Sequence, residues 1–322
     1  MQDNAHSSFK DSFAGFTSAD IGGDASGDKK ELLPSLLLRC LLIALCLAVF
    51  SYSLYMLVSG YIETRDTNDK YDSIRADVNT SAVKRSSPLL EPASMFTLRE
   101  MLDSGGNYKN YIGDVDSVED RDRQSKYYYN FLSMRSRYPS TYAWIYVSHT
   151  RIDYPVMKSD DNDYYLNHDF QGNYTDSGSV FADFRLSDNY PENYNSVFYG
   201  HCMKNGTMFR TLKTFMESAN RNTEAKTLTI EVYREEGIYI YKLLSAYRNN
   251  QAFFINVDFA GSEDYLAFLQ KITSLNTFSV TNPYSADSRI CTLVTCANVS
   301  SDRSERYVMH GVLTAFIPNT DI

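Results

Sequence analysis

Hydrophobic and polar positions divide the chain into three textures. Residues 36–61 are almost wholly apolar, broken only by Arg39 and a few Ser, Tyr and Gly residues. A helix needs roughly 20 residues to cross a bilayer core, so this run predicts one transmembrane helix. Before it, residues 1–31 are rich in Ser, Gly, Asp and Ala without apolar periodicity and predict a disordered tail. After it, residues 62–92 turn polar and predict a stalk. Helical periodicity follows over 94–102 and again over 117–137, where Tyr128, Phe131, Leu132 and Arg135 share a face. Beyond Pro139 the pattern becomes short alternating runs at 142–147, 152–157, 179–184, 196–199, 227–233, 238–247, 290–295 and 307–317. Glu235-Glu236-Gly237 reads as a hairpin turn. One helix interrupts the strands, with Ser262 as N-cap and Tyr265, Leu266, Leu269 and Ile272 on its buried face. Regular strand spacing with one helical insertion predicts a mainly β protein built on a closed or nearly closed barrel.

Charge then orients the chain. Lys29, Lys30 and Arg39 lie on the N-terminal side of the apolar run, whereas Glu63 and Asp66 largely offset Arg65 and Lys70 on the other. Positive-inside bias puts residues 1–31 in the cytoplasm and everything after about residue 62 outside. The long polar leader and long apolar core favour an uncleaved anchor over a cleaved signal peptide, although Ser59-Gly60 offers small residues. The expected organisation is tail 1–31, anchor 32–61, stalk 62–92 and extracellular catalytic domain 93–322. A formal net charge of −9 over 322 residues argues against a nucleic-acid partner.

Cysteine usage leaves a thiol free for chemistry. Of five cysteines, Cys40 and Cys46 fall in the apolar run, and Cys202, Cys291 and Cys296 are too few for a disulfide framework. Strand alternation groups Cys296 with Thr292 and Val294, and as the last residue of its strand it is expected at a barrel mouth. Arg306 opens the next strand about nine residues later, so a hairpin returns it beside Cys296. Arg303 competes for that place but is held less firmly in a loop. His201 follows a strand and a glycine. Taken singly, these are a buried thiol, a solvated arginine and a satisfied loop histidine. Together at strand edges they are the parts of a thiol acyl-transfer site: nucleophile, proton carrier and oxyanion donor. Asp160, Asp161 and Asp163 lack the glycine and distal glutamate of a calcium loop and read as a solvated turn, so no metal or cofactor is expected.

These residues resemble a known family. Thr292-Leu293-Val294-Thr295-Cys296 with Arg306 is similar to the TLxTC signature and downstream arginine of the sortases, the transpeptidases that attach proteins to Gram-positive cell walls. Trp144 with 152–156, the segment 162–170, Gly178-Ser179-Val180-Phe181, the block 199–209 and the helix at 262–274 extend the resemblance to class B sortases. It implies a sortase-type barrel with an N-terminal helical extension and a helix inserted before the last two strands. It also implies Cys296 as nucleophile, His201 as general acid/base and Arg306 as the carbonyl and oxyanion donor, with Asn162, Leu166, Val294 and Thr295 at the substrate. Expected partners are the sorting-signal peptide of secreted surface proteins, a peptidoglycan amine or a pilin lysine, and the cytoplasmic membrane. Four positions depart from the family pattern: Cys202 where Asn is frequent, Val294 where Ser is common, and Ala297 and Asn298 where some relatives carry acids. A Cys202–Cys296 disulfide is one reading of the first; a small residue filling an amide's place is the other. A silent module that binds sorting signals and a thiol hydrolase remain alternatives to the transpeptidase.

Overall fold

The computed structural model describes residues 29–76, 118–280, 282–296, 305–319 and 322. The expected tail and the expected helix at 94–102 fall, apart from residues 29–31, outside the described residues. Two units separate, Met1–Tyr61 and Ile62–Ile322. Helix α1 (Lys29–Ala76) contains a stretch long and apolar enough to cross a membrane, and its large apolar side chains from Leu37 to Ile62 are exposed.

Within the second unit, eight described strands close into a barrel: β1 (Thr141–Val147), β2 (Asp153–Met157), β3 (Val180–Ala182), β4 (Asn195–Tyr199), β5 (Thr229–Arg234), β6 (Gly237–Asn249), β7 (Ile290–Cys296) and β8 (Arg306–Pro318). Their order around the barrel is β1-β2-β3-β4-β7-β8-β6-β5. β2 with β3 and β4 with β7 are parallel pairs, and all the others are antiparallel. The closed barrel expected from strand spacing is thus the one observed. The hairpin turn expected at Glu235-Glu236-Gly237 is observed, narrowed to Glu235 and Glu236 because Gly237 pairs with Arg234 across it.

Alternation sorts the side chains into two cores. Ala143, Ile145, Val156, Phe198, Val232, Leu243, Cys291, Leu293 and Met309 belong to the larger core. Helix α2 (Val118–Arg137) joins it through Tyr128, Phe131 and Met134. Arg123 of α2 donates to both oxygens of the buried Glu231 at 2.7 and 2.9 Å.

Helices α3 (Arg210–Glu217) and α4 (Arg221–Glu224) were not expected, although Leu212, Phe215 and Met216 carry the i, i+3, i+4 spacing of α3. Helix α5 (Ser262–Ser274) covers the second core through Tyr265, Phe268, Leu269 and Ile272, packed with Val197, Tyr247, Ile290, Val294 and Val308. Two details of the α5 reading change. Gly261 is the N-cap, with no side-chain cap, and Phe268 takes the buried place assigned to Leu266, which is half-buried.

A polar chain runs through this second layer. Asn195 Nδ2 donates to the Phe254 and Asn256 carbonyls, and the Thr292 hydroxyl donates to Asn195 Oδ1 at 2.5 Å. A hydroxyl has one proton, so Thr292 must accept from His310 Nδ1 at 2.8 Å, and His310 Nε2 must then accept from the Tyr247 hydroxyl at 2.9 Å. Every partner of His310 is satisfied only by the neutral ring. Burial holds its pKa down to about 3.

The segment expected as a stalk begins differently. Residues 62–76 are helical and dock on the barrel unit. Tyr71 and Ile74 are buried, and the Tyr71 ring meets Tyr154 edge-on at 5.2 Å and Phe170 at 5.5 Å. Lys70 pairs with Asp169 at 3.2 Å, and Arg75 donates to the Asp153 carbonyl at 3.0 and 2.8 Å while lying over the Tyr154 ring. The polar composition of the segment hid this, because two apolar residues three apart are enough to make a docking stripe.

Two outcomes are expected. A chain beginning at residue 77 loses the Tyr71 and Ile74 contacts and is less stable than one beginning at residue 62 by about 3 kcal/mol, read as the difference in urea midpoint times slope. His310 is neutral when folded and has an ordinary pKa near 6.5 when unfolded, so the unfolded chain binds the extra proton between the two values. Its contribution is complete above pH 6.5 and is lost on acidification by about 1.4 kcal/mol per pH unit. Between pH 7.5 and 5.0, His310→Gln should therefore lose about 2 kcal/mol less than the native chain in urea titrations.

Candidate active site

Three strands that neighbour one another in the barrel bring the expected residues to one edge. β7 and β8 run antiparallel, and Cys296, the last residue of β7, is the direct partner of Arg306, the first of β8. β4 and β7 run parallel with Tyr199 opposite Val294, and Gly200 N continues the ladder to the Val294 carbonyl at 3.2 Å. His201 follows that pair by two residues on β4's side, and Cys296 follows it by two on β7's.

Local packing fixes His201. A Cβ on Gly200 would fall 2.7 and 2.9 Å from Phe209 ring carbons, so this glycine lets the ring close over the strand end. The His201 carbonyl accepts from Phe209 N at 2.9 Å, and Cys202 bridges to Met208, closing the intervening loop. Met208 and Phe209 are fully buried, and Met208 N donates to the Tyr154 hydroxyl. The imidazole is half-buried, with Nε2 2.7 Å from the Leu166 carbonyl oxygen. Arg306 is also half-buried, and its Nη1 donates to the Glu305 carbonyl. Glu305 in turn pairs with Arg248 at 3.3 Å. Arg303 lies outside the described residues.

The other expected substrate residues divide into two kinds. Asn162 and Leu166 lie on the loop facing His201. Asn162 donates to Asp183 Oδ2 at 3.2 Å and accepts from Phe184 N at 3.0 Å, while Leu166 is 40% exposed. Val294 and Thr295 are 4% and 2% exposed, so neither side chain is presented to a peptide. Packing explains this: Val294 sits in the α5 layer, and Thr295 alternates onto the opposite strand face.

Sequence reading missed a polar cluster beside these residues. Asp183 is buried and accepts from Arg185 Nε and Nη2 at 2.8 Å each, from the Tyr199 hydroxyl at 2.7 Å and from Asn162. Burial pushes its pKa up, but the Arg185 and Tyr199 hydrogen bonds outweigh that and hold it below the ordinary value. Only a carboxylate flanked by Arg and an aromatic strand hinted at it, and such triplets are common. The acidic run near Asn162 behaves as the solvated turn expected: Asp161 Oδ1 accepts from Asp163 N and Tyr164 N, and those bonds lower its pKa. Among the described residues no cluster of His, Cys, Asp and Glu could hold a metal.

The remaining described histidines are engaged elsewhere. His149 meets Thr227, His168 stacks on Tyr164 at 4.1 Å, and His310 belongs to the buried polar chain. Cys202 is buried, with Arg210 Nη1 3.6 Å from its sulfur, and Cys291 lies inside the larger core.

Comparison with known proteins matches this architecture. The sortase domain profile covers residues 145–314. Sortase B of Staphylococcus aureus is 31% identical over 168 residues, 52% of this chain and 67% of that protein. Sortase B of Listeria monocytogenes is 29% identical over 174 residues, 53% and 68% of the two chains. Among solved structures, Clostridium perfringens sortase B superposes with a TM-score of 0.52 at 30% identity, covering 57% of this chain and 98% of that one. The Staphylococcus aureus sortase B–substrate complex and a sortase B complexed with triglycine each give 0.52 at 28% identity, covering 58% of this chain and 85% and 86% of theirs. A barrel that sets a cysteine, a histidine and an arginine on one edge, with these relatives, means that the chain belongs to the sortase family, in class B, and is a cysteine transpeptidase.

Proposed function

We propose that this transpeptidase cleaves a C-terminal sorting signal of NPxTN-like or LPxTG-like type after its threonine and joins the new carboxyl end to an amine of the peptidoglycan peptide. The observation that carries the reading is the pairing of Cys296 with Arg306, beside the end of β4 from which His201 follows. In this scheme the Cys296 thiolate attacks the threonine carbonyl. The developing oxyanion is held by the Arg306 guanidinium, and His201 gives a proton to the departing amine as the C–N bond breaks. The thioester conserves the acyl group. An incoming amine, deprotonated by His201, then attacks it and releases the thiolate. Sortase B bound to substrate and to triglycine supports a peptide donor and an amine acceptor by analogy.

Asn162 and Leu166 are assigned to the peptide groove, and Val294 and Thr295 act there through their backbone. The apolar stretch of α1 anchors the enzyme in the cytoplasmic membrane, with residues 1–31 inside and the catalytic unit outside. Surface proteins carrying the sorting signal are thereby fixed to the wall.

Intact mass spectrometry tests the scheme. Residues 62–322 incubated with an NPQTN-type peptide and a short glycine amine should give a transpeptidation product, and Cys296→Ala should give neither product nor acyl adduct. Replacing the amine by a pilin-type lysine peptide separates wall anchoring from pilus polymerisation. Free acid alone, with amine in excess, would instead identify a hydrolase, and folded protein without turnover on either signal a silent module. Arg306→Ala should lower kcat by roughly 10²–10³, and His201→Ala by about 10²–10⁴.

A further inference from the structure

His201 has one partner that constrains its chemistry beyond simple placement. Its Nε2 lies 2.7 Å from the Leu166 carbonyl oxygen, and a carbonyl can only accept. Nε2 must then carry a proton whether the ring is neutral or charged. We propose that the Leu166 carbonyl is the positioning group of His201, locking Nε2 as a permanent donor and leaving Nδ1 as the nitrogen that gives and takes the catalytic proton. This rests on the acid/base role assigned to His201 above. In the first half-reaction Nδ1–H passes its proton to the departing amine nitrogen. In the second, the bare Nδ1 accepts one from the incoming amine as it attacks the thioester. The Nε2 proton stays in place throughout.

The carbonyl is fixed from several sides. Leu166 ends the 3-10 turn Tyr164–Leu166, started by Asp161 Oδ1 accepting from two backbone N–H groups, and Leu166 N donates to the Asp163 carbonyl at 3.1 Å. Asn162 ties the start of the turn to Asp183, whose other partners include Tyr199, two residues before His201. Behind the turn stands Gly178 at φ +54°. A Cβ there would lie 2.5 Å from the Leu166 oxygen, 2.8 Å from its carbonyl carbon and closer still to the Tyr165 oxygen. Ser179 N donates to the Tyr165 carbonyl at 3.0 Å, and Ser179 Oγ to the His168 carbonyl at 3.0 Å. Asp169, next along the loop, accepts from Gln171 N and Asn173 N and pairs with Lys70 of α1. Carboxylate help is not supplied by Asp183, which is engaged by Arg185, Tyr199 and Asn162, nor by the two residues after Cys296, which are Ala297 and Asn298.

Long-range 1H–15N correlation spectra of residues 62–322, a compact unit containing both cores, read the tautomer directly when histidine is 15N-labelled and the His201 signals are identified by their loss in His201→Ala. The expected spectrum is the Nε2–H tautomer of the neutral ring, with an Nε2 proton slow enough to observe. An Nδ1–H tautomer, or rapid averaging of the two, overturns the proposal without any variant having to fold. In Gly178→Ala the added methyl displaces the carbonyl. Turnover should fall by about tenfold or more at an unchanged circular dichroism spectrum, and the tautomers should mix. A folded Gly178→Ala with the native tautomer and native turnover also overturns the proposal. Full activity in His201→Ala would instead remove the acid/base role itself, whereas a wrong tautomer beside an inactive His201→Ala removes only the lock.

Discussion

The parallel pairing of β4 with β7, Tyr199 against Val294, is the constraint from which the proposed catalytic edge follows. Parallel neighbours finish at the same end of a barrel, so whatever follows each strand emerges side by side. β8 runs the opposite way and therefore starts where β7 stops, which sets Arg306 against Cys296. Had β4 met β7 antiparallel, His201 would stand a full strand length away from the thiol. The proposed chemistry depends on strand direction.

That edge is braced on both faces of the sheet. Inside, Cys291 and Leu293 of β7 fill the larger core; outside, Ile290 and Val294 pack under α5. Thr292 lies between Ile290 and Val294 and joins the buried chain from Asn195 to Tyr247, so β4, β6, β7 and β8 are tied by hydrogen bonds that need a neutral His310. Buried polar networks that are fully satisfied specify one arrangement of their strands. Here the specified arrangement is the one that pairs Cys296 with Arg306 and runs β4 parallel beside β7.

Much of this was legible from residue order. Alternation found all eight strands because each has one face in a core, and Thr292 to Cys296 announced the site because a thiol ending a strand opposite an arginine is uncommon by chance. Other features left no periodic trace. The docking of residues 62–76 rests on Tyr71 and Ile74 amid charged neighbours, a stripe too short to stand out as periodicity in the sequence. Burial of Thr295 shows that a residue beside Cys296 in sequence can be turned into the protein by the two-residue period of a strand. The Leu166 carbonyl is the extreme case: a backbone oxygen has no letter in the sequence, and only Gly178, three residues before the well-marked Phe181, hints that something passes close behind.

Because Cys296 and Arg306 are cross-strand partners, the nine residues joining them do not set the distance between them. Length and composition there can drift, or be exchanged for those of another sortase, while the reacting groups keep their spacing. The fold thus holds Cys296 and Arg306 together by strand register, so a change that slips β8 against β7 by one residue would part them with every side chain still present.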